Sequence, residues 1–180
     1  MGSISELDFS AEHFDNHPGR KLPSRPADTG SPAICLPQPV MCMTQSCYWQ
    51  IMEELTRREP EAGGLLLGPI DDELITHYIP DENAIATGAS FTLDAPGLNR
   101  ILRKFRECGM NGKGLVHSHP RGCTQPSGGD LAYVRKSLAN EKNQTALKFM
   151  LPIVCGQRLY PYLIQRDQTP EVVLAQLLLV

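Results

Sequence analysis

The segment Gly114-Leu115-Val116-His117-Ser118-His119-Pro120, with Ser127-Gly128-Gly129-Asp130 downstream, restricts the fold of this 180-residue chain more than any other stretch. The run from Gly112 to His119 reads as a strand that ends at Pro120. Alternate side chains of a strand share a face, so His117 and His119 point the same way. After a polar loop, Ser127 opens a helix carrying Leu131, Val134 and Leu138. Ser127-x-x-Asp130 matches a capping box and puts Asp130 at about N3, where the backbone is tightly held. A fold that keeps this strand end beside this helix start gathers two imidazoles and one carboxylate around one point.

That donor set is metal chemistry. Neutral imidazole nitrogens and a carboxylate suit zinc, and three protein ligands leave the fourth tetrahedral position to water, as in catalytic sites. With one carboxylate the site keeps a charge of about +1, enough to bring the pKa of bound water toward neutrality. Such chemistry also needs a general base. Glu61 is the candidate, because it precedes Gly63-Gly64-Leu65-Leu66-Leu67-Gly68 at the mouth of a buried strand; Glu54 and Glu59 compete by proximity. Ser127 can donate to a developing oxyanion while also capping its helix. The expected site is therefore one zinc per chain on His117, His119 and Asp130, with Glu61 and Ser127 as catalytic groups.

The rest of the chain reads as one domain with a tail. Apolar residues make up 41% and charged residues 21%, an ordinary globular balance. A net charge of −3 encodes no pull toward nucleic acid or membrane. No run reaches the ~18 apolar residues of a membrane span. The N-terminus lacks the layout of a secretory signal, so a cytoplasmic setting is expected. Residues 1–32, rich in Ser, Asp, Gly, Pro and Arg, read as a flexible N-terminal tail. His13 and His17 lie there, with no third ligand near. The domain is expected over 33–180, beginning with an extended segment broken by Pro37 and Pro39. A helix follows from Ser46, then strands at Gly63–Ile70, Glu73–Pro80 and Ala89–Asp94. A second helix runs from Pro96 to about Gly109, and two strands close the sheet after the motif helix. Thr169 as N-cap and Pro170 at the first helical position predict a terminal helix over 169–180. The six cysteines form no C-x-x-C pair and read as reduced, mostly buried thiols. Cys123, in the loop beside the motif, reads as a loop residue without a role. Interleaved strands and helices predict an α/β class with a central mixed sheet flanked by helices.

These residues resemble the JAMM motif of the JAB/MPN metalloprotease family, a Glu upstream of H-x-H, seven residues, then S-x-x-D. Pro120 to Pro126 supply the seven residues. Glu61-Ala62-Gly63-Gly64-Leu65-Leu66-Leu67-Gly68 resembles the family's E-x-x-G-x-L-x-G strand, and this selects Glu61 over Glu54 and Glu59. The resemblance covers roughly residues 33–168. It implies the MPN/JAB fold, zinc on His117, His119 and Asp130, Glu61 as acid/base and Ser127 at the oxyanion. It further implies a deubiquitinase-like isopeptidase acting on a ubiquitin-like protein or its conjugate, similar to stand-alone bacterial members. Activating and conjugating enzymes of the same pathway are the implied partners, with antiphage defence as a setting. Residues 131–168 contain no histidine and one cysteine, which argues for a single zinc. The alternatives are a processing peptidase for a sulfur-carrier protein or cell-wall peptide, and a non-catalytic scaffold. Loops 81–94 and 121–126 are expected to carry specificity.

Overall fold

The computed structural model describes residues 9, 13–15, 38–58, 61–87 and 90–180. In chain order the elements are β1 (His13–Asp15), β2 (Val40–Met43), α1 (Gln45–Leu55), β3 (Gly63–Pro69), β4 (His77–Pro80), β5 (Ile85–Thr87) and β6 (Ser90–Thr92). Then follow α2 (Ala95–Glu107), β7 (Met110–His119), α3 (Gly128–Ala139), β8 (Lys148–Cys155), β9 (Arg158–Gln165), β10 (Val172–Leu174) and β11 (Gln176–Leu179).

Three consecutive leucines in β3 explain the layering. Leu65, Leu66 and Leu67 are all buried, so both faces of their strand must be covered. Leu65 and Leu67 join Leu115, Phe149 and Leu151 against α2 and α3, through Leu98, Leu102, Tyr133, Val134 and Leu138. Leu66 joins Val116, Met150 and Val154 on the opposite face, against Ile51, Met52 and Leu55 of α1 and Met41 and Met43 of β2. The central sheet has the order β10-β9-β8-β7-β3-β4. Its β7–β8 pair is parallel and the other neighbours are antiparallel, so it is a mixed sheet flanked by helices, as expected.

The β7–β8 pair positions the site. Parallel neighbours need a crossover, and α3 is that crossover. The start of α3 therefore lies just outside the carboxyl end of β7, where ligands collect in parallel arrangements. Gly114 lets β7 reach β8. Its φ is +151°, and a Cβ there would stand 1.8 Å from Met150 O. The β3–β7 register shifts at the same place, between Leu66 and Leu67. Lys113, beside this shift, donates from Nζ to Pro69 O (2.7 Å) and Asp72 O (2.6 Å). At its far end α3 is tied down by Arg166, which donates to the carbonyls of Leu138, Asn143 and Gln144.

Two expectations change. The terminal helix over 169–180 is absent. Val172–Leu174 pair antiparallel with β9, and Gln176–Leu179 pair parallel with β2. Thr169-Pro170 satisfies a local helix-start rule, but two sheet edges were open to this segment. β-Branched Val172 and Val173 suit the first edge, and Gln176–Leu179 alternate exposed and half-buried along the second. Of the expected tail 1–32, the structure describes Phe9, which is buried, and His13–Asp15, which pair as a strand. Phe9 is buried edge-on against Phe149, with its backbone bonded to Asn99 in both directions. His13–Asp15 form a small sheet with β6 and β5. Scattered apolar residues carried no period that would have revealed this docking. The rest of 1–37, with His17 and Cys35, lies outside the described residues. Of the other cysteines, Cys47 and Cys155 are buried and Cys42 is intermediate, whereas Cys108 and Cys123 are exposed.

Candidate metal centre

The alternation that sorts Leu115 and Val116 to opposite faces continues to the end of β7. His117 and His119 take Leu115's side, toward α3, and Ser118 takes the α1 side. Ser127 is the N-cap of α3 and Asp130 its N3 residue, in a complete capping box. Ser127 Oγ accepts from Asp130 N (3.1 Å), and Asp130 Oδ2 accepts from Ser127 N (2.6 Å). One carboxylate oxygen is thus locked to the backbone, which fixes the direction of the other.

The three side chains meet in a buried cluster. His117 Nε2 lies 3.2 Å from Asp130 Oδ1, His119 Nε2 lies 3.2 Å from Asp130 Oδ2, and the two Nε2 atoms are 2.8 Å apart. Asp130 is fully buried, and His117 and His119 are nearly so. Burial alone would raise the Asp130 carboxyl. The charge and hydrogen bonding of His117 and His119 overcome it and hold the group well below the usual carboxylate range. His119 Nδ1 faces Cys123 O at 3.2 Å, a backbone contact that turns its Nε2 toward the cluster.

A cation fits this arrangement. Asp130 Oδ1 is buried and takes no hydrogen bond of good geometry. An acceptor so placed beside two ring nitrogens is satisfied by a positive ion. Donors about 2.0–2.1 Å from a tetrahedral zinc stand about 3.3 Å apart, close to the observed 2.8–3.2 Å. Among the described residues, His117, His119 and Asp130 form the one such group of potential ligands, with donor atoms within 4.8 Å of one another.

The segment that follows Glu61 is tied to the histidine strand by backbone pairing. Gly63 pairs with His117, and the ladder continues through Ser118 N to Ala62 O (2.8 Å). Glu61 directly precedes this rung in the chain. Ser118 strengthens this rung, its Oγ accepting from Ala62 N (3.0 Å) and donating to Ala62 O (3.3 Å). Glu61 is 5% exposed, unlike a solvated surface carboxylate. Glu54 instead pairs with Arg58 on α1, and Glu59 lies outside the described residues. Sequence reasoning missed Ser118 as the clasp on Ala62; the only signal was its place between the two histidines. Of the expected specificity loops, 81–94 holds the β5–β6 pair, and 121–126 passes Cys123 beside His119.

A mixed sheet whose parallel β7-α3-β8 crossover carries a His-x-His and Asp cluster defines a JAB/MPN-type domain. The family profile described as prokaryotic homologs of the JAB domain matches residues 44–172, and the chain belongs to that family. The family includes metallopeptidases. A solution structure of a protein from Desulfitobacterium hafniense shares the fold at 22% identity, with a TM-score of 0.58, covering 78% of this chain and 92% of that one. A crystal structure of a JAB1/MPN domain protein from Archaeoglobus fulgidus aligns at 21% identity, with a TM-score of 0.46, over 77% of this chain and 99% of that one. No curated protein matches. Among the described residues no helix is long and apolar enough to cross a membrane.

Proposed function

We propose that this chain is a zinc-dependent peptidase that removes or processes a ubiquitin-like protein at its C-terminus, in the cytoplasm of a bacterium. The observation that carries the reading is the buried convergence of His117, His119 and Asp130, with a buried Glu61 next to the Ala62–Ser118 rung. Zinc, when bound, supplies Lewis acidity that acidifies water and polarises a carbonyl. Glu61 then takes a proton from the attacking water and passes it to the departing amine as the C–N bond breaks. Ser127 Oγ accepts from Asp130 N, so its own proton is free to reach the carbonyl oxygen as negative charge builds there. The capping box keeps that hydroxyl and the Asp130 ligand in fixed relation.

The ubiquitin-like substrate rests on the likeness of Glu61, His117-Ser118-His119, Ser127 and Asp130 to deubiquitinase members of the family. An extended, small-residue C-terminus pairs readily with a sheet edge, and β4 supplies one beside β3. Activating and conjugating enzymes of such a pathway, antiphage defence included, are the partners this reading proposes. The test is mass spectrometry of a ubiquitin-like fusion incubated with the zinc-loaded chain. Cleavage after the C-terminal glycine that disappears with chelator and with Glu61→Ala is expected. No cleavage, or cleavage undiminished by Glu61→Ala, overturns the proposal. A sulfur-carrier protein and a cell-wall peptide in the same panel decide among peptidase substrates.

A further inference from the structure

We propose that Cys155 is a positioning residue of the metal centre: its thiol pins the turn after β7 whose backbone aims His119 at the ion. The inference rests on the zinc reading and deepens it. Cys155 ends β8 and pairs with His119 in the parallel β7–β8 ladder. Residues paired at one level of a sheet share a face, so the thiol lies on the α3 side beside the imidazole. Cys155 is buried. It is not a member of the His117, His119 and Asp130 ligand group. Its sulfur donates instead to Pro120 O, at 3.4 Å.

That carbonyl closes a turn. Pro120 O also accepts from Cys123 N (3.1 Å), the bond of a β-turn. Gly122 stands third in it with a φ of +92°, as a type II turn requires. The last residue of the turn presents its own carbonyl, Cys123 O, to His119 Nδ1 at 3.2 Å. A carbonyl only accepts, so Nδ1 carries the ring proton in this contact and Nε2 keeps the lone pair that a metal needs. Nε2 is the atom that reaches the cluster, 3.2 Å from Asp130 Oδ2. Contacts of this kind orient ligating histidines. Pro120, Arg121, Gly122 and Cys123 are all exposed, so little burial holds the turn, and the thiol ties it to β8. One S–H···O bond is weak. Its leverage comes from the site, because a metal tolerates only about 0.2 Å in ligand distance.

The experiment compares the wild-type chain with Cys155→Ala, Cys155→Val and Cys155→Ser. The valine substitution fills the space without a donor, and the serine substitution restores a donor. Competition with a chromophoric chelator is expected to show zinc held about fivefold to tenfold more weakly by Cys155→Ala and Cys155→Val, and within about twofold of wild type by Cys155→Ser. Cys108→Ala, which removes an exposed thiol at the end of α2, should match wild type. A second readout needs neither zinc nor turnover. In the metal-free chain, exchange of the Cys123 amide should quicken about tenfold in Cys155→Ala and Cys155→Val relative to the Leu115 amide of β7, and return toward the wild-type rate in Cys155→Ser. A role confined to core packing would lower Tm in all three variants without singling out this amide or sparing Cys155→Ser. Wild-type zinc affinity in Cys155→Val, an unchanged Cys123 exchange rate, or a Cys155→Ser chain as weak as Cys155→Ala overturns the proposal. If the wild-type chain takes up no zinc, the zinc reading falls, and the amide exchange alone decides whether Cys155 holds the turn.

Discussion

Replacing Gly63 by alanine should strike the metal centre through the backbone. A methyl there would stand 2.6 Å from Val116 O and 2.8 Å from His117 Cβ. Cross-strand Cβ atoms normally keep about 4.5–5.5 Å, so β3 and β7 must separate or twist by more than about 1 Å at this rung. Neither obstacle is the end of a flexible side chain that could swing away. Overpacking of this kind costs about 1–3 kcal/mol, and alanine returns about 0.5–1 kcal/mol through a less flexible unfolded chain. The net loss is about 1.5 kcal/mol, or roughly 3–6 °C in Tm for a domain of this size. The larger effect falls on His117, since metal sites tolerate only about 0.2 Å in ligand distance. Zinc affinity should drop about 10–100-fold. Competition with a chromophoric chelator measures the affinity, and thermal melts with and without zinc measure the stability. Gly128→Ala is the control, because nothing lies within 4 Å of a methyl at that helix-start position; it should keep both values. Wild-type zinc affinity in Gly63→Ala would refute the claim that this rung sets the position of His117.

Ser118→Ala removes both bonds from its hydroxyl to Ala62 and should lower stability by about 1–2 kcal/mol. Because Ser118 is not a ligand, zinc stoichiometry should stay at one while kcat falls about tenfold; an unchanged kcat would show that the clasp does not position Glu61. Burial pushes the Cys47 thiol up to about 12. The folded value exceeds the unfolded one, so this contribution to stability is complete below about pH 9 and is lost as pH rises toward about 12. Unfolding monitored from pH 8 to 11 should show the decline, and Cys47→Ala should flatten it. At pH 7.5, alkylation and peptide mapping should label the exposed Cys108 and Cys123 and leave Cys47 and Cys155 unmodified; rapid labelling of Cys47 would contradict the packing under α1.

The parts of this fold readable in the sequence are those where a local rule and the tertiary demand coincide. Strand alternation put His117 and His119 on one face, and the capping box put Asp130 at N3; both are short-range geometry, and the parallel crossover needed only to bring them together. The leucine run of β3 was legible as a buried strand for the same reason. The C-terminal segment was misread because Thr169-Pro170 obeys a helix-start rule while the destination of Val172–Leu179 depends on edges built by residues far upstream. Phe9 is the extreme case, a lone aromatic that finds Phe149 at a distance no local pattern encodes. Ser118 was invisible for another reason. Its role follows from which side of β7 it occupies and what lies there, and sequence spacing shows only the first of these.

The central claim is that His117, His119 and Asp130 hold one zinc ion. Native mass spectrometry of the chain purified without added chelator tests it most directly, beside Asp130→Asn prepared identically. One zinc per chain in the wild type and none in Asp130→Asn is the predicted result. A wild-type chain free of zinc that fails to take it up, or an Asp130→Asn chain that keeps a full equivalent, would contradict the account.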